Sequence, residues 1–170
     1  MENNKINLLI VDDEEQFLNS ISKSLELRDF KVIAVNRGEK AIEAARNNSI
    51  DIALVDLKMP GINGEETLKK LKAEHEWMEV VILTGHGTID SAAECMKSGA
   101  FFYLQKPCDL DQILEVLKNA YKEKVMNRKK IEEEKMDALL KLSLSSSPLG
   151  ILRKLKKMDK DSQSFKGETQ

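Results

Sequence analysis

The 170-residue sequence contains few cysteines and no long hydrophobic run. Its two cysteines, Cys95 and Cys108, are too few and too far apart for a disulfide framework or a zinc site. The N-terminal residues lack the apolar segment of a signal peptide, and no stretch approaches the length required to span a membrane. These absences argue against a secreted or membrane-spanning protein, and we expect the chain to be cytoplasmic.

Acidic residues outnumber basic residues in the first 121 residues. This region contains 14 Lys and Arg against 21 Asp and Glu, a net charge of −7, whereas residues 122–170 contain 13 against 8, a net charge of +5. An acidic domain repels nucleic acid, so we expect no direct binding to DNA. The length suits one domain with a proper core and a mildly basic appendage.

Short apolar runs alternate with helical patterns over roughly the first 120 residues. The predicted strands are residues 6–11, 31–35, 52–55, 80–84 and 101–105. The predicted helices are residues 15–27, 38–47, 64–75, 89–97 and a last one that starts near Asp109. This alternation predicts βαβ units and therefore an α/β fold, with a doubly wound, five-stranded parallel sheet covered by helices on both faces.

Polar residues that could take part in catalysis or ligand binding end or directly follow four of the predicted strands. Asp12 and Asp13 follow the first strand and Asp56 follows the third, while Thr84 ends the fourth and Lys106 follows the fifth. Because the carboxyl ends of parallel strands lie along one edge of a sheet, we expect these side chains to converge. Three clustered carboxylates repel one another unless a cation binds, and oxygen ligands that leave room for water suit Mg²⁺. The pattern therefore predicts a magnesium site.

Lys106 and Thr84 are poor metal ligands but good partners for a phosphoryl group. A cation and a hydroxyl donor beside a metal-bound carboxylate match the negative charge that a phosphoryl group spreads over its oxygens. The predicted chemistry is nucleophilic attack of the Asp56 carboxylate on phosphorus. A single aspartate at a strand end could be an ordinary polar residue without a function. That explanation does not account for three aspartates together with Thr84 and Lys106.

Four motifs resemble the receiver domain of two-component response regulators over about residues 5–122. They read Val11-Asp12-Asp13-Glu14, Asp56-Leu-Lys-Met-Pro-Gly61, Thr84-Gly85-His86-Gly87 and Gly99-Ala-Phe-Phe-Tyr-Leu-Gln-Lys-Pro107. Each is weak alone, but all four in this order form a strong signal. The last two look most like receivers that precede enhancer-binding transcription activators. The resemblance implies a flavodoxin-like sheet with strand order 2-1-3-4-5.

The resemblance also implies a role for each acidic residue. Asp56 would accept a phosphoryl group from a phosphohistidine on a sensor histidine kinase or a phosphotransfer protein. Asp13 and Asp56 would ligate Mg²⁺ together with the backbone carbonyl of Lys58, and Asp12 would act largely through water. Lys106 would pair with the phosphoryl oxygens.

The same resemblance implies a switch built on Thr84 and Tyr103. Thr84 would turn to hydrogen-bond the phosphoryl group, and Tyr103 would follow it inward. This movement would reshape the face of the fourth helix, fifth strand and fifth helix, which a downstream protein or a second copy would read. Lys58 would tune dephosphorylation. The alternatives are that Tyr103 is only a packed aromatic residue and Lys58 only a solvated turn lysine.

The tail follows a receiver domain predicted to span residues 1–122. Residues 123–142 are predicted to extend the fifth helix, without the clean heptad of a coiled coil. Residues 143–170 are predicted to form a linker, a short basic amphipathic helix at 149–157 and a disordered end from residue 160. The basic helix could dock on the acidic receiver, on a partner or on an anionic membrane, of which the membrane is the least favoured. The alternative is a frayed tail with no role, and docking on a partner or on the receiver itself is favoured.

Four interpretations of the function compete. The leading one is a stand-alone response regulator that has no enzymatic activity beyond its own phosphorylation and slow autodephosphorylation. An oligomerising regulator that forms a homodimer through its tail is the second, and a receiver fragment of a longer transcription regulator remains open, although the two ends suggest a whole chain. A phosphatase of the haloacid dehalogenase type is disfavoured, because such enzymes carry a second aspartate where this chain has Lys58.

Overall fold

The computed structural model describes residues 4–145 and 148–164. These residues divide into two compact units, the first ending at Met126 and the second beginning at Asn127. The domain boundary predicted after residue 122 stays a prediction. Among the residues that the structure describes, no helix combines the length and the apolar character needed to cross a bilayer.

In the part of the chain that the structure describes, five strands alternate with five helices, and a sixth helix follows. The elements are β1 (Ile6–Val11), α1 (Glu15–Glu26), β2 (Phe30–Val35), α2 (Gly38–Asn47), β3 (Ile52–Val55), α3 (Gly64–Glu74), β4 (Glu79–Thr84), α4 (Ile89–Lys97), β5 (Phe102–Gln105), α5 (Leu110–Ser145) and α6 (Pro148–Ser164). All four strand pairings are parallel, and the strand order is β2-β1-β3-β4-β5. The predicted doubly wound parallel sheet and its order are confirmed.

The three central strands are buried on both faces, as parallel sheets require. Because successive side chains point to opposite faces, each strand contributes to two separate core clusters. In β1, Leu9 and Val11 pack with residues of α2, α3 and α4. Leu8 and Ile10 of the same strand pack with residues of α1 and α5. The sheet is thus fixed between two helical layers, and the carboxyl ends of β1, β3 and β4 lie side by side.

A network of charges lies at the opposite, amino edge of the sheet. The Asp51 carboxylate, just before β3, accepts a hydrogen bond of 2.8 Å from the backbone N–H of Asn7 and forms an ion pair with Lys124 of α5. Glu79, at the start of β4, lies 4.0 Å from the Lys72 ammonium and is largely buried. Burial raises the pKa of the Glu79 carboxyl, Lys72 lowers it, and Glu123 raises it further.

Replacing Glu79 with glutamine should raise the free energy of unfolding of the first unit at pH 7. The gain should stay below about 1 kcal/mol, because the substitution also weakens the contact with Lys72. The raised pKa means that the ionised carboxyl costs stability at neutral pH, and that this cost disappears as the pH falls through the folded-state pKa. The gain should therefore shrink on acidification. Urea unfolding followed by the fluorescence of Trp77, the single tryptophan, measures it at both pH values. An equal gain at low and neutral pH would contradict this explanation.

The tail is more helical than the sequence indicates. The predicted helical extension is confirmed, but α5 continues to Ser145 through the start of the predicted linker. The Ser143 hydroxyl donates a 2.8 Å hydrogen bond to the Leu140 carbonyl, so this serine is satisfied within the helix. Pro148 begins α6, where a missing N–H has no cost.

The prediction of disorder from residue 160 is wrong as far as Ser164, where α6 ends. A helix that has already nucleated gains one hydrogen bond for each residue added, so polar residues extend it more readily than composition suggests. The same prediction for residues 165–170 lies outside the described residues, as does the linker prediction for residues 146–147.

Candidate functional site

Backbone hydrogen bonds carry the sheet one residue beyond three of its strands, and this places the predicted site residues. The Asp56 N–H donates to the Val11 carbonyl at 2.9 Å, and the Lys106 N–H donates to the Thr84 carbonyl at 2.9 Å. The Asp12 N–H likewise donates to Val35 at 3.2 Å. The side chains at the carboxyl edge are therefore positioned by the rigid sheet rather than by free loops.

Asp12, Asp13 and Asp56 form a cluster of three carboxylates. One oxygen from each lies within 4.8 Å of the others. Asp12 and Asp56 are buried, whereas Asp13 is exposed. The cluster opens into a cleft of about 400 Å³, lined by Asp13, Glu14, Asp56, Lys58, Met59, Pro60, Gly85, His86 and Lys106. Acidic oxygens beside an open, water-accessible space are a donor set that could hold a hard divalent cation.

Lys106 supplies positive charge beside this cluster of carboxylates. Its ammonium donates a 2.5 Å hydrogen bond to Oδ2 of Asp12 and lies 4.0 Å from the centre of the Phe17 ring. The other oxygen of Asp12 accepts a 2.9 Å hydrogen bond from the backbone N–H of Glu14. Asp12 is therefore compensated by one cation and one amide, and Lys106 is held between a carboxylate and an aromatic face.

Asp56 is much less well compensated than Asp12. It is 5% exposed, and its Oδ1 atom is buried without a hydrogen-bond partner. Burial raises the pKa of the Asp56 carboxyl. The Thr84 hydroxyl and Lys106 lower this pKa in part, while Asp12 and Asp13 raise it again. A buried, under-coordinated carboxylate oxygen at a cleft fits a position that a cation or an electrophile would complete.

Thr84 and Tyr103 both lie close to Gly87. The Thr84 side chain is fully buried, and its Oγ1 accepts a 3.2 Å hydrogen bond from the backbone N–H of His86. The Tyr103 hydroxyl is buried without a partner and lies against Gly87, where an added methyl group would overlap it and approach its Cζ atom to 2.6 Å. Only glycine at position 87 leaves room for Tyr103 in this inward orientation.

Lys58 is the predicted site residue that stands apart. Its side chain is exposed at the rim of the cleft, two residues after Asp56. The loop that carries it is anchored by Met59, which is buried in the core cluster of α2, α3 and α4. The role of Lys58 and the metal ligation predicted for its carbonyl stay predictions.

Two contributors to the site escaped the sequence analysis. Phe17 lies within the predicted helix of residues 15–27, and its ring contacts the Lys106 ammonium. Glu39 of α2 reaches the loop after Asp56 and accepts a hydrogen bond from the Ile62 N–H. Neither residue lies in a motif, and each contact joins elements that are distant in sequence, so no local pattern indicated them.

Comparison with known families decides the identity. The profile of the response regulator receiver domain matches residues 8–118. The chain belongs to the response regulator receiver family. The receiver is 33% identical over 120 residues to the transcriptional regulatory protein ZraR of Klebsiella oxytoca, covering 71% of this chain and 27% of that protein. The predicted family and the likeness to receivers of transcription activators are confirmed.

Other relatives carry the same receiver. A cyclic di-GMP phosphodiesterase of Thermotoga maritima is 31% identical over 120 residues, covering 71% of this chain and 32% of that protein. The chain thus spans about a quarter to a third of the length of these curated relatives. A solved receiver domain protein from Clostridium thermocellum is 36% identical, with a TM-score of 0.66 over 74% of this chain and 98% of its own. Receivers are signalling domains, and the shared region is the fold that carries the acidic site.

Proposed function

We propose that this receiver accepts a phosphoryl group on Asp56 from a phosphohistidine of a sensor histidine kinase or phosphotransfer protein. The observation that carries the proposal is the buried Oδ1 of Asp56, which has no hydrogen-bond partner and belongs to a cluster of three carboxylates beside Lys106. A nucleophile requires a free oxygen, and the phosphoryl group that it receives requires nearby cations.

In the proposed transfer, an Asp56 oxygen bonds to phosphorus as the bond from phosphorus to the histidine nitrogen breaks, and the imidazole takes the electron pair. Asp13, Asp56 and the Lys58 carbonyl would hold Mg²⁺, with Asp12 acting through water. When bound, Mg²⁺ supplies positive charge that offsets the carboxylates and the phosphoryl oxygens. Lys106 would exchange its contact with Asp12 for one with the phosphoryl group, and the Thr84 hydroxyl would donate to it.

The output of the receiver is proposed to be a protein contact on the face formed by α4, β5 and the first turns of α5. Support comes from apolar side chains that this face exposes to solvent. Ile89 is 89% exposed, Met96 47% and Phe102 45%, and β5 is an edge strand of the sheet. Tyr103 lies on the same strand, so a change in its orientation would reach this face directly. We propose a cytoplasmic signalling protein that has no enzymatic activity beyond its own phosphorylation and slow autodephosphorylation.

Intact-protein mass spectrometry tests the proposed function. With MgCl₂ and acetyl phosphate, the wild-type chain should gain the mass of one phosphoryl group, because the small donor replaces phosphohistidine at the same carboxylate. An identical sample containing EDTA should gain none. Modification that proceeds equally with EDTA, or no modification in either sample, would reject the proposal.

A second candidate, the oligomerising regulator, is favoured by one feature of the tail. Met136, Leu140 and Leu144 recur every fourth residue along α5 and are 59%, 54% and 88% exposed. Residues at this spacing share one face of a helix, which a second copy could cover. Light scattering with and without the phosphoryl mimic beryllium fluoride separates the candidates, since an unchanged monomer in both states would exclude phosphorylation-controlled assembly.

A third arrangement, in which the chain is the receiver of a longer transcriptional regulator, as the name of ZraR suggests, stays open.

A further inference from the structure

The loop between β3 and α3, residues 57–63, forms one wall of the cleft. Lys58, Met59 and Pro60 line the cleft. The two ends of the loop close on each other, because the N–H of Gly64 donates a 2.9 Å hydrogen bond to the carbonyl of Leu57. This hydrogen bond does not fix the conformation of the residues between the two ends, so other contacts must do so.

Glu39 provides such a contact from outside the loop. It lies in the first turn of α2, and its Oε1 atom accepts a 3.0 Å hydrogen bond from the backbone N–H of Ile62. Gly61 has a φ of 80°, in the left-handed region that favours glycine. A methyl group on Gly61 would lie 3.1 Å from Cδ of Glu39 and closer still to its Oε1. The carboxylate therefore packs directly against two consecutive residues of the loop.

Helix α2, which carries Glu39, is closely packed against the rest of the first unit. It starts at Gly38, where an added methyl group would lie 2.6 Å from Cγ1 of Ile62 and closer still to Oγ1 of the buried Thr67. Farther along the helix, Ala41 and Ala45 are buried in the core. Because the start of α2 packs so closely against the loop and α3, the backbone that carries the exposed Glu39 side chain is held beside Ile62.

The electrostatics agree with this geometry. The pKa of the Glu39 carboxyl is lowered, chiefly by the hydrogen bond from the Ile62 N–H and next by one from its own backbone N–H, with smaller contributions from Arg37 and Lys70. The charged carboxylate is thus the form that the loop contact favours.

We propose that Glu39 is a positioning residue for the acidic site, which holds the loop of residues 57–63 in the conformation that presents the Lys58 carbonyl to the cation. This inference rests on the proposed function, in which that carbonyl is a ligand of Mg²⁺. Glu39 does not touch the cation and acts through the loop alone. Loss of a residue that orients a metal ligand typically weakens metal binding about tenfold or more.

The test uses three variants of the full chain. Glu39→Ala removes the acceptor, Glu39→Gln keeps an amide oxygen that still accepts from Ile62, and Glu43→Ala removes an exposed glutamate of the same helix. Amide hydrogen exchange followed by NMR without metal reports the order of the loop at Ile62. Titration with MgCl₂, followed by the amide chemical shifts, gives the dissociation constant of Mg²⁺.

We expect Glu39→Ala to speed exchange at Ile62 and to raise the Mg²⁺ dissociation constant roughly tenfold, while Glu39→Gln and Glu43→Ala remain close to wild type. Unchanged exchange at Ile62 in Glu39→Ala would overturn the contact itself. Faster exchange with an unchanged dissociation constant would overturn the positioning role. A wild type that does not bind Mg²⁺ would instead reject the proposed function, so the two failures are distinguishable.

Discussion

Replacing Asp56 with asparagine should abolish phosphoryl uptake and, in the same molecule, raise stability in the absence of metal. The amide lacks the nucleophilic oxygen, so the mass gain with acetyl phosphate and Mg²⁺ should fall from one phosphoryl group to none. Asp12 and Asp13 cannot replace it, because Asp12 is compensated by Lys106 and the Glu14 amide, and Asp13 is exposed.

The gain in stability follows from the environment of the carboxyl. Burial raises the pKa of Asp56, and Asp12 and Asp13 raise it further, so in the absence of metal the ionised form costs stability at pH 7. The neutral amide avoids that cost, and we expect a gain of roughly 1–2 kcal/mol in EDTA. The gain should diminish as the pH falls through the folded-state pKa, because wild-type Asp56 then becomes protonated.

Asp29→Asn is a matched control, since it makes the same chemical change at an exposed position before β2. It should leave both phosphoryl uptake and the midpoint of urea unfolding close to wild type. The combined result separates chemistry from folding, because a variant that is more stable and yet inert cannot owe its inactivity to unfolding. Phosphoryl uptake by Asp56→Asn, or a loss of stability in EDTA, would contradict the proposed site.

The second large effect concerns Gly64, the first residue of α3. An alanine in a helix ordinarily adds up to about 1 kcal/mol of stability relative to glycine. Here an added methyl group would lie 2.7 Å from Cα of Leu57 and 2.8 Å from the carbonyl carbon of Asp56, and closer still to the Asp56 carbonyl oxygen. All three atoms belong to the backbone at the end of β3, so none can move aside as a flexible side chain would.

We therefore expect Gly64→Ala to destabilise the first unit by about 2–4 kcal/mol, since overpacking exceeds the gain in helix propensity. Gly85→Ala is the control, because its added methyl group meets no atom nearer than Cβ of Lys106 at 3.7 Å. It should change stability by less than about 1 kcal/mol. Urea unfolding followed by Trp77 fluorescence compares the two, and equal midpoints would mean that α3 shifts away from Asp56 without cost.

The elements of the first unit were largely predictable because they depend on local patterns. The central strands are buried on both faces and therefore read as continuous apolar runs, and five of them separated by helical periods leave few topologies. Helix α6 was harder, because composition indicates whether a segment can form a core but not whether a nucleated helix continues through polar residues such as those up to Ser164.

The candidate site divides in the same way. The positions of the site residues at the ends of parallel strands predict that their side chains converge. These residues are Asp12, Asp13, Asp56, Thr84 and Lys106. Their positions do not predict which of the charged groups pair with one another. Lys106 pairs with Asp12 across 94 residues of sequence and leaves Asp56 with an oxygen that has no partner. The inward orientation of Tyr103 depends equally on the space beside Gly87.

The sequence by itself determined the fold, the family and the set of residues at the acidic edge, because strand ends and motif order are written locally along the chain. Only the tertiary structure decided which charges are compensated, where Tyr103 lies and that Glu39 holds the loop through Ile62, 23 residues away. Those features depend on distances of a few ångströms between elements. Such distances arise from packing, which no local pattern encodes.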